Sequence, residues 1–214
     1  MSKRVGVIGS GDVGKTLASG FLKHKYDVRI ASRTPAKLAE FAKKSGVQAD
    51  TFGNVAKWAE IIVLAVKGTA AQAALAECGP ANIKGKIVID TTNPIADKPP
   101  VDGVIQVFTG PNDSLMEQLQ SAFPDAKLVK AWNSVGNARM VNPSFKDGKP
   151  SMFYCGNDAG AKGEVAKILE QFGWEAADMG KATAARAIEP LCQLWCIPGF
   201  LKNSWSHAFK VVWS

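Results

Sequence analysis

Short apolar runs alternate with helix-length amphipathic segments over the first two thirds of the chain. The runs at 5–8, 61–66 and 87–90 are rich in β-branched residues, which is typical of buried strands. Between the first two runs, an apolar residue recurs every four positions from Val13 to Phe21, which predicts a helix with one apolar face. This alternation favours an α/β protein, a Rossmann-type doubly wound and mainly parallel sheet covered on both faces.

The rhythm changes after residue 132. A stretch rich in Asn, Gly and Pro over 133–150 predicts a loop, and a further β-α-β unit and a bulky helical segment follow. We expect Pro198 and Gly199 to break that segment into two helices. The chain is thus predicted to divide into an α/β part over 1–132 and a small C-terminal β-α-β and helical extension over 133–214. Further predicted strands lie at 27–31, 47–49, 127–132, 151–155 and 174–178, and further predicted helices at 115–123 and 160–171.

Composition and charge narrow the class of protein. Of 214 residues, 46% are hydrophobic and 21% are charged, which is ordinary for a folded globular protein. The net charge of +7 comes from Lys and Arg spread along the chain; it suits anionic small molecules, and no aromatic–basic motif points to nucleic acid. Neither a signal peptide nor a run of about 20 apolar residues is recognisable, so we expect a cytoplasmic protein with no nucleic-acid or membrane partner.

The four cysteines predict reduced, buried thiols. Cys78 and Cys155 stand singly in apolar surroundings. Cys192 and Cys196 are four residues apart, a spacing that places both on one helix face and does not match a zinc site. We therefore expect no metal site in this protein.

A glycine-rich loop carries the strongest chemical signal. Residues 9–14 match G-x-G-x-x-G directly after the first strand and before an amphipathic helix. In this context Gly9 permits a tight turn, Gly11 lets a pyrophosphate approach the backbone, and Gly14 allows close packing of helix on strand. The N-terminus of the helix then offers free N–H groups to the phosphates. The predicted dinucleotide loop comprises Gly9, Ser10, Gly11, Asp12, Val13 and Gly14.

The same loop has a second interpretation. Residues 9–16 (GSGDVGKT) also match G-x-x-x-x-G-K-T, the phosphate loop of ATPases and GTPases. Lys15 would then be a phosphate ligand, Thr16 a magnesium ligand and Asp90 an acidic partner. Gly11 has no role in such a loop, and the strand that follows ends in a signature for a different ligand. The dinucleotide interpretation is therefore favoured, with Lys15 exposed on the first helix.

The end of the second strand indicates which dinucleotide binds. NAD-specific Rossmann units tend to place an Asp or Glu there to hold the ribose 2′-hydroxyl. This chain has Ser32, Arg33 and Thr34 instead, and Lys37 follows one helical turn later. A hydroxyl and a forked guanidinium suit a 2′-phosphate. We therefore predict NADP(H) as the cofactor.

Four motifs together resemble one family. VIGSGDVG at 7–14, ASRTP at 31–35, LAVKG at 64–68 and AWNSVGNARM at 131–140 are similar to the NADP oxidoreductase, coenzyme F-420-dependent family. The resemblance implies an enzyme that moves a hydride between NADPH and a deazaflavin (coenzyme F-420) or a flavin-like acceptor. It also implies a Rossmann NADP-binding domain over 1–132, an extension over 133–214 that completes the pocket of the second substrate, and a homodimer. Related members include the cytosolic domains of metalloreductases.

The resemblance also implies which strand ends surround the cofactor. It places one group of residues beside the adenosine or the bridging ribose, a second group nearer the nicotinamide, and a third group facing the nicotinamide and the acceptor. The deazaflavin enzyme carries a His where this chain has Asn133, so we expect Asn133 to position the nicotinamide by hydrogen bonding. The residues on the adenosine side are Val66 and Lys67; those nearer the nicotinamide are Thr92, Asn93 and Pro94; and those facing the nicotinamide and the acceptor are Trp132, Asn133, Ser134 and Val135.

Hydride transfer between two bound rings requires proximity, orientation and exclusion of water rather than an acid or base from the protein. Accordingly, His24 is expected to cap the first helix and His207 to be structural.

Two alternatives to this function remain open. One is an NADPH-binding sensor or partner protein without turnover, with the six tryptophans forming a core or an aromatic pocket. The other is a reductase of another small substrate, although the segment around Glu189 lacks the catalytic Lys or clustered acids of the related classes.

Overall fold

One eight-stranded sheet forms the centre of the computed structural model, which describes residues 2–213. The strands are β1 (Arg4–Ile8), β2 (Asp27–Ala31), β3 (Gln48–Asp50), β4 (Ile61–Leu64), β5 (Ile87–Asp90), β6 (Lys127–Lys130), β7 (Ser151–Gly156) and β8 (Glu175–Asp178). The α-helices are α1 (Asp12–Lys23), α2 (Ala39–Ser45), α3 (Phe52–Trp58), α4 (Ala71–Cys78), α5 (Pro80–Ile83), α6 (Leu115–Ala122), α7 (Ala159–Gln171), α8 (Ala185–Ile188) and α9 (Leu191–Lys202). Short 3-10 turns lie at Pro35–Leu38, Gly68–Ala70, Asn137–Arg139 and Ala182–Ala184.

The strand order is β3-β2-β1-β4-β5-β6-β7-β8. All neighbours pair in parallel except β6 and β7, which are antiparallel. The prediction of a Rossmann-type, mainly parallel sheet with a small helical C-terminal extension is therefore confirmed. Because β1 pairs with both β2 and β4, the direction of the crossovers reverses at β1, and such a switch point opens a crevice at the carboxyl ends of the strands.

Apolar cores cover both faces of the sheet. On one face, Leu17 and Phe21 of α1 belong to the same buried cluster as Val165 and Ile168 of α7. On the other face, helices α3, α4 and α6 pack against the strands, with Leu75 of α4 fully buried. Burial on both faces explains why β1 and β4 read as continuous apolar runs, since successive side chains of a strand point to opposite faces.

Helix α9 corrects one prediction. It runs without a break from Leu191 to Lys202, so Pro198 does not divide the segment into two helices. A proline removes one hydrogen bond to the carbonyl four residues earlier, and that residue, Leu194, is on the exposed side of the helix, where water can serve the carbonyl. The helix ends instead at Asn203, which adopts a left-handed conformation with φ of +51°.

The C-terminal part continues the same sheet through β7 and β8. The predicted boundary at 132/133 falls between β6 and β7, and the division into two units stays a prediction. After α9, residues 203–213 have no regular structure but are held to β7, since Ser151 N–H donates to Phe209 O and Val211 N–H donates to Ser151 Oγ. Across residues 2–213, none of the helices is both long and apolar enough to span a membrane.

Candidate functional site

The glycine-rich loop connects β1 to α1 at the switch point. Gly9 has φ of +134°, and a Cβ on it would lie 2.1 Å from Ala65 O. A Cβ on Gly14 would lie 2.2 Å from Gly9 O, so these two glycines are required by the protein's own packing. A Cβ on Gly11, by contrast, would meet no protein atom within 4 Å. Gly11 therefore borders open space, as expected of a position that a ligand approaches closely.

Two cavities meet at this loop and form one cleft. The first cavity has a volume of about 520 Å³ and the second about 510 Å³. Four residues line both: Gly11, Ala65, Val66 and Lys67. The first cavity is further lined by Gly9, Ser10, Ser32, Arg33, Thr34 and Lys37, among others, and the second by Asp12, Val13, Thr91, Thr92, Asn93 and Asn137, among others.

The first cavity carries the predicted 2′-phosphate residues at the end of β2. Ser32 is buried, and its hydroxyl accepts a hydrogen bond of 3.1 Å from Thr34 N–H, which leaves the hydroxyl proton free to donate. Arg33 and Lys37 are exposed and line the same cavity. Neither forms an ion pair with a residue in 2–213. Two unpaired cations and a hydroxyl thus converge on this end of the cleft.

An amide pair, Asn93 and Asn133, lies beside the second cavity. Asn93 Nδ2 donates to Asn133 O at 2.7 Å, and Asn133 Nδ2 donates to Asn93 Oδ1 at 3.1 Å and to Ile188 O at 2.8 Å. Asn133 is buried, and its Oδ1 accepts no hydrogen bond from any described residue. The pair links the loops after β5 and β6 to the end of α8.

A charge cluster of Asp90, Lys130 and Glu189 lies behind the amide pair, and the sequence analysis did not identify it. Lys130 Nζ lies 2.7 Å from Asp90 Oδ2, 2.8 Å from Glu189 Oε1 and 2.8 Å from Thr92 O. The three side chains are 0–2% exposed. The sequence could have indicated this cluster, because each of its members borders an apolar stretch, and charged residues are seldom fully buried unless they are paired.

Each carboxylate oxygen of the charge cluster has either a hydrogen-bond partner or an ion-pair partner. Asp90 Oδ1 accepts from Thr92 N–H and Oγ1–H, while the carboxylate of Glu189 accepts from the first two N–H groups of α6, those of Leu115 and Met116. Burial alone would lower the pKa of Lys130, but the two carboxylates outweigh burial and raise that pKa above its ordinary value. The second negative charge is compensated by the positive N-terminal end of α6.

Most of the predicted cofactor residues line the cleft. All members of the glycine loop except Gly14 do so, as do Ser32, Arg33 and Thr34, and so do Val66, Lys67 and Asn93. Other predicted residues do not line either cavity; these are Gly14, Pro94, Trp132, Asn133, Ser134 and Val135.

Trp132 lies in the core rather than at the cofactor end of the cleft. It is fully buried, and its ring centroid lies 6.3 Å from that of Phe21 and 5.3 Å from that of Phe172. Its backbone adopts the left-handed region, with φ of +58°, which turns the chain sharply between Ala131 and Asn133. The ring is thus a packing element in this structure, and the turn is what directs Asn133 to the amide pair.

The phosphate-loop alternative finds no support in the geometry. Lys15 is half-buried rather than exposed, and neither it nor Thr16 lines either cavity of the cleft. Asp90 is bound by Lys130 and so is not free to hold a metal ion. Residues 2–213 contain no group of three or more His, Cys, Asp or Glu side chains suited to a metal.

The histidines and cysteines lie outside both cavities. His24 follows the last turn of α1 as predicted, and its Nε2 is 3.0 Å from Asn142 Oδ1. His207 stacks on Trp195. All four cysteines are free and buried, and burial raises the pKa of Cys78 and of Cys155 to about 12, so both are neutral thiols at physiological pH.

Comparisons with known proteins agree with this geometry. The family model described as "NADP oxidoreductase coenzyme F420-dependent" matches residues 4–94. The crystal structure of a proposed F420 dependent NADP-reductase from Arthrobacter sp. FB24 superposes with a TM-score of 0.93 and 33% identity, covering 99% of this chain and 100% of that one.

Two curated relatives are metalloreductases. STEAP3 of Rattus norvegicus is 29% identical over 204 residues, or 92% of this chain, and STEAP2 of Homo sapiens is 30% identical over 187 residues, or 87% of this chain. The matched region spans only 39% and 35% of the length of these two proteins.

Proposed function

The chain belongs to the NADP oxidoreductase, coenzyme F420-dependent family, and from this premise we propose that it transfers a hydride between NADPH and coenzyme F420 or a flavin-like acceptor. Its family and structural relatives make it an NADP-dependent oxidoreductase. The observation that carries the proposal is the cleft itself. One cavity offers free cations and a hydroxyl, the other offers amides, and the two join at a glycine that leaves room for a ligand.

The residues of the cleft fit NADP(H). Gly11 leaves space where a Cβ would stand, which a pyrophosphate needs for close approach. Arg33 and Lys37 have no carboxylate partner among residues 2–213, so their charges are available to a 2′-phosphate. The first turn of α1, which begins at Asp12, supplies backbone N–H groups.

When bound, NADPH supplies the hydride, and the chain's own residues supply binding, orientation and shielding. The first cavity would hold the adenosine 2′-phosphate and the second would hold the nicotinamide. The amide pair would hydrogen-bond at the nicotinamide end, where Asn133 Oδ1 is an acceptor without a partner in 2–213. Lys130 lines neither cavity and is paired with two carboxylates and Thr92 O, which supports a mechanism without proton transfer from this group.

We also propose a cytoplasmic homodimer in which the extension over 133–214 completes the acceptor pocket. Exposed apolar side chains support the dimer: Gly103 lies against Leu201 of α9, and Val101, Leu194 and Phe200, which belong to the same two segments of the chain, are 47–59% exposed. Analytical ultracentrifugation should give about twice the monomer mass at micromolar concentration. A single monomeric species over that range would exclude the homodimer.

The acceptor is tested by anaerobic NADPH oxidation with coenzyme F420, FMN and FAD in parallel. Rapid turnover with coenzyme F420 is the expected result. Turnover with FMN or FAD alone would make a flavin the acceptor in place of coenzyme F420. Tight NADPH binding without turnover with any of the three would contradict the proposal and favour an NADPH sensor. The Arg33→Ala variant serves as the control for dependence on the cofactor site.

A further inference from the structure

We propose that the charge cluster of Asp90, Lys130 and Glu189 is a positioning device that fixes the amide pair at the second cavity, so that its integrity determines how the nicotinamide end of the cofactor is held. The inference rests on the proposed function, in that it takes NADP(H) to occupy the cleft. None of the three side chains lines either cavity, so the cluster acts through the residues that it holds.

The first link runs through Thr92, which lines the second cavity directly before Asn93. Asp90 accepts hydrogen bonds from the N–H and the hydroxyl of Thr92, and Lys130 donates to its carbonyl. Every polar group of Thr92 is therefore bound by the cluster. Thr92 therefore has little conformational freedom, and the backbone position of the next residue, Asn93, is fixed with it.

The second link runs through the end of α8. Ile188 O accepts a hydrogen bond from Asn133 Nδ2, and the next residue, Glu189, is anchored by Lys130 and by the N-terminus of α6. Asn133 thus receives its orientation from a residue adjacent to the cluster. The cluster is thus connected to Asn93 through Thr92 and to Asn133 through Ile188, although its three charges lie up to 99 positions apart in the chain.

The cluster is more elaborate than packing alone would need. Burying three charges is costly, and apolar residues of similar volume are often as stabilising. The same face of the sheet is otherwise apolar, with Val88 and Leu128 beside the cluster on β5 and β6. What charges add over apolar side chains is directed hydrogen bonding. Here three such bonds fix Thr92 of the second cavity, and two more tie Glu189, the residue after Ile188, to the N-terminus of α6.

The test compares the dissociation constants of NADPH and of 2′-phospho-ADP-ribose, which lacks the nicotinamide, by calorimetry. In Glu189→Gln we expect the constant for NADPH to rise about tenfold while that for 2′-phospho-ADP-ribose changes less than about twofold. The matched control is Glu117→Gln, which removes a carboxylate from the first turn of α6 that pairs with Arg186 and does not contact the amide pair. The control should leave both constants unchanged.

If Glu189→Gln does not fold, the same comparison is made on Asp90→Asn/Lys130→Met/Glu189→Gln, which leaves no buried charge unpaired and should lose the preference for NADPH in the same way. An unchanged ratio of the two constants in the folded variant would overturn the inference alone. Equal affinity of the wild-type protein for the two ligands would overturn the inference together with the proposed function. A merely structural role would lower thermal stability without changing the ratio.

Discussion

The two cavities of the cleft are built in different ways. In the first, Ser32, Arg33 and Lys37 lie on one short segment, and the two cations are exposed and unpaired within 2–213. Beside the second, the amide pair and the charge cluster come from distant segments, and apart from Asn93 they are almost fully buried. Charges that bind a ligand are exposed to solvent before binding, whereas charges that orient other residues are buried and paired. Substitutions at the first cavity should therefore impair binding alone, whereas substitutions in the charge cluster should impair both folding and the binding of the nicotinamide end.

The largest effect is expected for Lys130→Met. This change leaves two buried carboxylates without their cation and should lower the free energy of unfolding by about 3–5 kcal/mol. The measurement is urea denaturation at pH 7. The control is Lys84→Met, whose ion pair with Asp125 is exposed and should contribute less than about 1 kcal/mol. Equal losses in the two variants would show that breaking the buried cluster costs no more than breaking an exposed ion pair.

A binding effect without a stability effect is expected for Arg33→Ala. Losing a charged hydrogen-bond donor to the 2′-phosphate should cost about 1.5–3 kcal/mol of binding, or roughly a 10- to 100-fold higher dissociation constant for NADPH. Affinity for NADH and the free energy of unfolding should not change, since the side chain is exposed. The measurement is fluorescence titration of each variant with NADPH and with NADH. Arg33→Lys keeps the charge but loses the forked guanidinium, so its dissociation constant for NADPH should lie between those of the wild-type protein and Arg33→Ala.

The smallest effect is expected at alkaline pH. Because the pKa of Lys130 is raised in the folded protein, the cluster's contribution to stability is complete below the ordinary value of 10.5 and is lost as the pH rises through the higher folded pKa. The charged and titratable groups facing Lys130 are Asp90, Glu189, Cys155 and Cys192. The free energy of unfolding, measured from pH 8 to 11.5, should therefore fall more steeply in the wild-type protein than in the triple neutral variant. If the two curves of unfolding free energy against pH are parallel, Lys130 has the same pKa in the folded and unfolded states, and the prediction is wrong.

The first cavity was predictable because its geometry is local. The spacing of Gly9, Gly11 and Gly14 is set by one strand-to-helix turn, and Ser32 and Arg33 occupy the end of the neighbouring strand. A local rule of spacing therefore leads directly to these residues. The same holds for the strands, whose apolar runs reflect burial on both faces.

The second cavity could not be predicted in the same way. Asn93 and Asn133 were expected near the nicotinamide only from the family resemblance, and their hydrogen bonds to each other depend on how β5 and β6 pair. No local spacing connects Lys130 to Glu189. The unbroken α9 has a similar cause, since tertiary packing outweighs the low helix propensity of Pro198 and Gly199.

The charge cluster also constrains how the sequence can vary. Replacing Lys130 alone leaves two buried carboxylates without their cation, whereas replacing all three members with neutral residues leaves no charge in the cluster. A library of random variants selected for folding should therefore rarely return a neutral residue at 130 while 90 and 189 remain acidic. Position 130 should vary together with 90 and 189 although no two of the three are near each other in the chain.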